Sequence, residues 1–130
     1  MNRSLHPEGW PQPRGYSHGV AAAGTQIFVA GQIGWNEHAR LVSDDFAEQA
    51  AQALRNVAAV LASGGARPEH VVRLTWYVTQ KSEYTAARKS IGAAYRAIFG
   101  THYPAMTLVQ VAALLEDGAK VEIEATAVIP

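Results

Sequence analysis

Lys120-Val121-Glu122-Ile123-Glu124-Ala125-Thr126-Ala127-Val128-Ile129, near the C-terminus, reads as a β-strand with two unlike faces. Successive strand side chains point to opposite sides, so Val121, Ile123, Ala125, Ala127 and Ile129 form one apolar row. Glu122 and Glu124 fall on the other row beside Thr126, their Cα atoms roughly 6.5–7 Å apart. One face of this strand belongs to a core. The other presents a carboxylate pair, which serves either solubility or a site that binds ligands and moves protons.

Working upstream, Glu116-Asp117-Gly118 turns the chain into this strand, and Met106–Ala112 predicts another strand before it. In Val71–Thr79 the residues Val72, Leu74, Trp76 and Val78 form one face, and Arg73, Thr75, Tyr77 and Thr79 the other. Gly19–Ala23 and Gln26–Ile33 read as two short strands around Gly24-Thr25, a hairpin. Elsewhere the period changes to that of a helix. Phe46, Ala50, Leu54, Val57 and Leu61 recur at helical spacing, with Ser43 as the expected N-cap and Gly64-Gly65 as the stop. A second helix is predicted from Ser82, with Tyr84, Ala87, Ile91, Tyr95 and Ile98 on one stripe and Gly100 closing it. Residues 1–15, rich in Pro, Gly and polar groups, predict an irregular arm.

The order ββ-α-β-α-ββ, without repeat or linker, predicts one α+β domain over residues 1–130. Two helices cover only one face of such a sheet. Phe28, Met106 or Tyr77 would then be left partly bare, so the opposite face is expected to meet another subunit.

Composition narrows the function classes. The 11 basic and 11 acidic residues cancel, which argues against nucleic acid or an anionic membrane as main partner. A net charge near zero also favours association over a free monomer. No cysteine is present, which excludes disulfides, thiolate catalysis and Cys-based zinc sites. The N-terminal residues lack the apolar segment of a signal peptide, and no apolar run reaches membrane-spanning length, so a cytoplasmic location is expected. His6, His18, His38, His70 and His102 are scattered with no ligand spacing, and no metal site is expected.

Arg14-Gly-Tyr-Ser-His-Gly-Val20, Ala30-Gly-Gln32, Leu54-Arg-Asn56, Gly64-Gly-Ala66, Tyr103-Pro-Ala105 and Val121-Glu-Ile-Glu124 occur in order and with fitting spacing. As a set they resemble the RidA family, also called YjgF/YER057c/UK114. The resemblance implies a chorismate-mutase-like α+β fold, with a mixed sheet and two helices on one face. It also implies a homotrimer around a central barrel, with small-molecule clefts between subunits. In its deaminase branches the family hydrolyses reactive enamines and imines to keto acids and ammonia, without a cofactor.

Carried over position by position, Tyr16 matches the tyrosine that closes the ligand cleft, and Gly31 the glycine close to the ligand. Glu122 matches the glutamate that positions the hydrolytic water. Met106 and Thr107 follow the Pro-Ala of the substrate-binding segment, and His18 stands beside Tyr16. The resemblance fails at one telling position. Imine-hydrolysing branches carry arginine where this chain has Met106, and a thioether has no planar fork of donors for a carboxylate. Ala30, Gly92 and Leu108 also depart from the family's serine, asparagine and cysteine. The chain is therefore similar to arginine-lacking branches. Two readings follow: an imine deaminase with altered substrate preference, or a non-catalytic protein that binds small metabolites in the same clefts. Arg73 is a candidate replacement anion clamp if its strand face reaches the cleft, though an intersubunit ion pair is the preferred reading. Glu124 reads as a structural or interface charge, and His102, like His18, as a surface or hydrogen-bonding residue before a functional one.

Overall fold

The apolar row of the last strand is the floor of the core. The structure, a computed structural model, describes residues 2–130. In chain order its elements are β1 (Arg3–Leu5), β2 (Gly19–Ala21), β3 (Thr25–Gln32), α1 (Phe46–Ser63), a 3₁₀ turn at Pro68–His70, β4 (Val71–Val78), α2 (Lys81–Ala86), α3 (Arg88–Phe99), β5 (Ala105–Gln110) and β6 (Val121–Ile129). Strand order in the main sheet is β3-β6-β4-β5. The sheet is mixed, because β6 runs antiparallel to both neighbours while β4 and β5 are parallel. Parallel neighbours need a crossover, and α2 and α3 supply it. Val121, Ile123, Ala125 and Ala127 of β6 are buried with Leu74, Trp76 and Val78 of β4 beneath α1 and α3. This is the expected α+β layout with the helices on one face.

α1 forms because its buried residues, including Ala50, Ala53, Leu54, Val57 and Leu61, lie on one stripe. Its start lies two residues later than Ser43 suggests. Asp45 is the N-cap, its carboxylate accepting from the Glu48 N–H at 3.0 Å, while Ser43 Oγ accepts from the Asp45 N–H. At the other end the Gly65 and Ala66 N–H groups return to the Ala62 and Leu61 carbonyls, with Gly65 at φ +77°. That left-handed turn is why glycine stands there.

Two amides fasten α1 to the sheet. Gln49 is fully buried; its Nε2 donates to the Ser43 carbonyl at 2.9 Å and the Gly118 carbonyl at 3.0 Å, and its Oε1 accepts from the Lys120 N–H at 2.9 Å. Asn56 Nδ2 donates to the Ile33 and Trp35 carbonyls. Gln49 thereby holds the entry to β6, and Asn56 the exit of β3.

Several local expectations are corrected. β2 and β3 are not a hairpin. β2 pairs with β1, and β3 pairs with β6 from Thr25↔Ile129 onward. β2 is only three residues long, whereas β6 offers β3 a full-length antiparallel edge. Gly24, at φ +146°, permits this change of partner: a Cβ there would lie 2.0 Å from the Ile129 carbonyl oxygen. The arm expected to be irregular contributes β1. The second helix is broken at Ala87 (φ −101°, ψ 10°), giving α2 and α3. In β4 a bulge between Val71 and Arg73 puts Val71 in the core in place of Val72, because the extra residue resets the alternation. β5 ends at Gln110, two residues short of the expected limit.

Gln49→Ala leaves three backbone groups at a buried junction without partners. It should cost about 2–4 kcal/mol in a denaturant titration and lower the thermal midpoint by on the order of 10 °C. Tyr95 gives a second test. Burial, aided by Tyr103, pushes its hydroxyl pKa well above the usual 10.0. The unfolded chain therefore loses this proton first, so stability from this group is intact below about pH 10 and falls as the pH rises beyond it. Tyr95→Phe should reduce that alkaline decline in a pH series of thermal midpoints.

Candidate functional site

The residues singled out by sequence fall on opposite sides of the sheet. Met106 pairs in register with Leu74, whose side chain enters the core, so Met106 also points to the helix side. There it lines a cleft of about 420 Å³ with Tyr16, Trp76, Tyr84, Ile91 and Tyr95. Tyr16 reaches the cleft because the arm is tied to the start of β5. The Ser17 N–H donates to the Pro104 carbonyl at 2.9 Å, and Ser17 Oγ donates to the Tyr103 carbonyl. The back wall is a stack of rings. Tyr95 lies between Phe99 at 4.8 Å and Tyr103 at 5.4 Å, and its hydroxyl donates to the His102 carbonyl at 2.6 Å. Trp76 meets Tyr84 edge-on at 6.0 Å. Trp76 is only 2% exposed, and its indole N–H has no acceptor among the described residues.

Glu122 occupies the other face. It pairs in register with Tyr77, and Glu124 with Thr75, so all four side chains lie away from the helices. Thr107, paired with Thr75, is on this face too. Gly31 is where close approach requires a glycine. The irregular pairing between Val29 and Gln32 brings it beneath Glu122, and a Cβ there would lie 1.9 Å from Glu122 Oε2. The carboxylate therefore lies directly against the Gly31 backbone. Tyr77 donates its hydroxyl to Glu124 Oε1 at 2.8 Å. That hydrogen bond, with burial and the charges of Glu124 and Glu122, raises the Tyr77 pKa and keeps the hydroxyl a donor. Phe28 is 71% exposed on the same strip, opposite Thr126, so this face is open in the single chain.

Tyr16 and Met106 thus share the helix-side cleft, while Gly31, Glu122 and Thr107 share the open face. One protomer does not bring the two sets together. His18 belongs to neither; it sits edge-on to Trp10 at 5.0 Å and Tyr16 at 5.4 Å in a cluster that folds the arm. His102 is a fastener, its Nε2 donating to the Val71 carbonyl at 2.7 Å. Arg73 lines a separate groove with Val72 and Thr126 and does not reach Met106. Sequence reasoning missed Arg88 and Arg96, which flank the cleft alongside Arg14. Their signal was helical spacing: Arg88 and Arg96 lie four residues to either side of Gly92, bordering the apolar stripe of α3. Among the described residues, no group of three or more His, Cys, Asp or Glu side chains could hold a metal ion. Nor is any helix among them long and apolar enough to cross a membrane.

Comparison with known proteins agrees with this architecture. A family model described as Endoribonuclease L-PSP matches residues 11–129. The 2-iminobutanoate/2-iminopropanoate deaminase of Escherichia coli strain K12 is 35% identical over 132 residues, covering 98% of each chain. The human protein of the same name is 34% identical over 114 residues, covering 87% of this chain and 79% of its own. The crystal structure of a conserved Rid family protein of unknown function from Yersinia pestis superposes with a TM-score of 0.88 at 36% identity, covering 98% of both chains. Family match, relatives and fold converge: this chain belongs to the RidA (YjgF/YER057c/UK114) family, which the Endoribonuclease L-PSP model describes.

Proposed function

We propose that this chain is an imine/enamine deaminase that works in clefts between the subunits of a homotrimer. The observation that carries the reading is the seat of Glu122 on Gly31, a carboxylate held against bare backbone on an open sheet face. A trimer that packs this face against its neighbour's helix-side cleft would join Glu122 and Gly31 of one protomer to Tyr16 and Met106 of its partner. Phe28 on the same strip supplies apolar area for such packing.

In that cleft Glu122 takes a proton from water as the water oxygen attacks the iminium carbon. The C=N π pair moves to nitrogen, giving a tetrahedral carbinolamine. Glu122 returns the proton to nitrogen, and the C–N bond then breaks to release ammonia. Glu122 takes the hydroxyl proton as the carbonyl forms and passes it to the departing ammonia. Water and iminium ion are consumed; carbonyl compound and ammonium are produced. This is ordinary general acid–base chemistry and requires no cofactor. Tyr16 closes the cleft from the arm, braced edge-on by His18, and Thr107 enters from the open sheet face. Met106 replaces a guanidinium, so the preference among imines is altered. The relatives' named substrates are 2-iminobutanoate and 2-iminopropanoate; this chain should handle them poorly. The partner is a small molecule and not RNA, because the chain has equal acidic and basic counts and hence no net positive charge to attract a phosphate backbone. We place this activity in the cytoplasm. The second reading, a non-catalytic metabolite binder, is favoured by Met106 alone.

Ammonia release should be measured with imines generated in situ by an amino-acid oxidase. Wild type should accelerate hydrolysis of at least one imine, and Glu122→Gln should lower that rate about 100-fold or more. Met106→Arg should raise activity on 2-iminopropanoate about tenfold or more by adding a charge-assisted pair. Equal rates for wild type and Glu122→Gln across all imines would leave only the binder. Light scattering should give three times the 14.0 kDa chain mass; a monomer at assay concentration excludes the shared cleft.

A further inference from the structure

The cleft that loses a guanidinium at position 106 has others along its helical rim. Arg96 folds back along α3 so that Nη1 lies 3.2 Å from where a Cβ on Gly92 would stand. Arg88 sits about two turns earlier, its Cζ 5.8 Å from the Tyr84 ring centre. Arg14 approaches from the arm side. Among the described residues none of these three arginines forms an ion pair, and the nearby acid Glu83 is engaged with Lys120 at 3.2 Å. A cluster of cations without counter-charges beside a concave apolar wall attracts anions.

The wall has its own requirement. Trp76, Tyr84, Ile91 and Met106 give it an apolar, ring-lined surface, and the buried Trp76 indole N–H lacks an acceptor. Buried donors without partners are uncommon enough to call for an explanation. A cleft of about 420 Å³ lies within the range that holds ligands larger than a three-carbon acid.

We infer that this cleft takes an aromatic or bulky apolar carboxylate, its anion gripped by Arg96 with Arg88 and Arg14 and its body laid against Trp76. The anion grip resides on the helix, and Gly92 is the vacancy into which Arg96 folds. A Cβ at position 92 would stand tight against Nη1 and shift the guanidinium from this seat. This rests on the deaminase reading only for its extension to substrate: the substrate class becomes imines of aromatic or large apolar amino acids. The binding statement stands alone.

The test is titration calorimetry of the full chain with three probes: 3-phenylpropanoate, 3-phenylpropan-1-ol and acetate. The first should bind about tenfold or more tightly than the alcohol, which lacks the charge, or acetate, which lacks the ring. Arg96→Gln should reduce 3-phenylpropanoate affinity about tenfold. Gly92→Ala should reduce it too while raising the thermal midpoint, since alanine favours a helix interior over glycine; a merely structural effect would move both together. In a ¹H–¹⁵N spectrum the indole signal absent from Trp76→Phe should shift on adding 3-phenylpropanoate. Equal affinity for acid and alcohol overturns the inference, as does wild-type affinity in both Arg96→Gln and Arg88→Gln. Carboxylate binding with no hydrolysis of any imine upholds it and counts against the deaminase reading. Hydrolysis of a phenylalanine-derived imine that is indifferent to Arg96→Gln and Gly92→Ala overturns it and leaves that reading intact.

Discussion

β6 is paired along both edges, and the chemistry on either side of the sheet depends on that pairing. Its two neighbours set its height, and Gln49 sets where it begins by bonding to Gly118 and Lys120 just before it. With register and starting point both held, the alternation of side chains has one outcome. Val121 and Ile123 go into the core, and Glu122 and Glu124 come out on the open face. A slip of one residue would bury both carboxylates under α1, at a cost no hydrogen bond there could offset. The buried amide is therefore a register device as much as a packing element.

The sheet separates two kinds of surface. On the helix side, rings and arginines border a concave cleft; on the other, carboxylates and hydroxyls share a flat strip with an exposed phenylalanine. Each is incomplete in its own terms. The cleft has an indole N–H and three guanidinium groups without partners among the described residues. The strip exposes Phe28 that water does not favour. The two needs differ in kind: the cleft calls for a small anionic ligand, as inferred above, and the strip for an apolar cover.

Much of the fold was legible because its signals are local and periodic. The two rows of β6, the stripe of α1 and the glycine stop after it are each written within a single element. What could not be read depended on distant partners. Nothing near Val72 announces the bulge that hands its core place to Val71; that bulge exists only in the pairing of β4 with β6. The Gly24-Thr25 turn looked like a hairpin because hairpin chemistry is local, whereas β3 takes its partner from the far end of the chain. For the candidate site, family resemblance indicated Gly31 and Glu122, and the structure shows their contact. It did not indicate that Met106 points to the opposite side, which follows from its register with Leu74. Arg96 escaped notice because its position depends on what Gly92 lacks.

The long reach from β3 to its partner carries a consequence for folding. Thr25 pairs with Ile129, and every other strand of the main sheet precedes β6 in chain order. Until β6 docks, β3 and β4 have open edges facing the position it will fill, a state prone to sticking to other unfolded chains. Helices can form early, but the sheet closes only when this long-range pairing is made. A change that kept β6 from docking would therefore leave no partly built sheet to work with, only a chain missing its keystone.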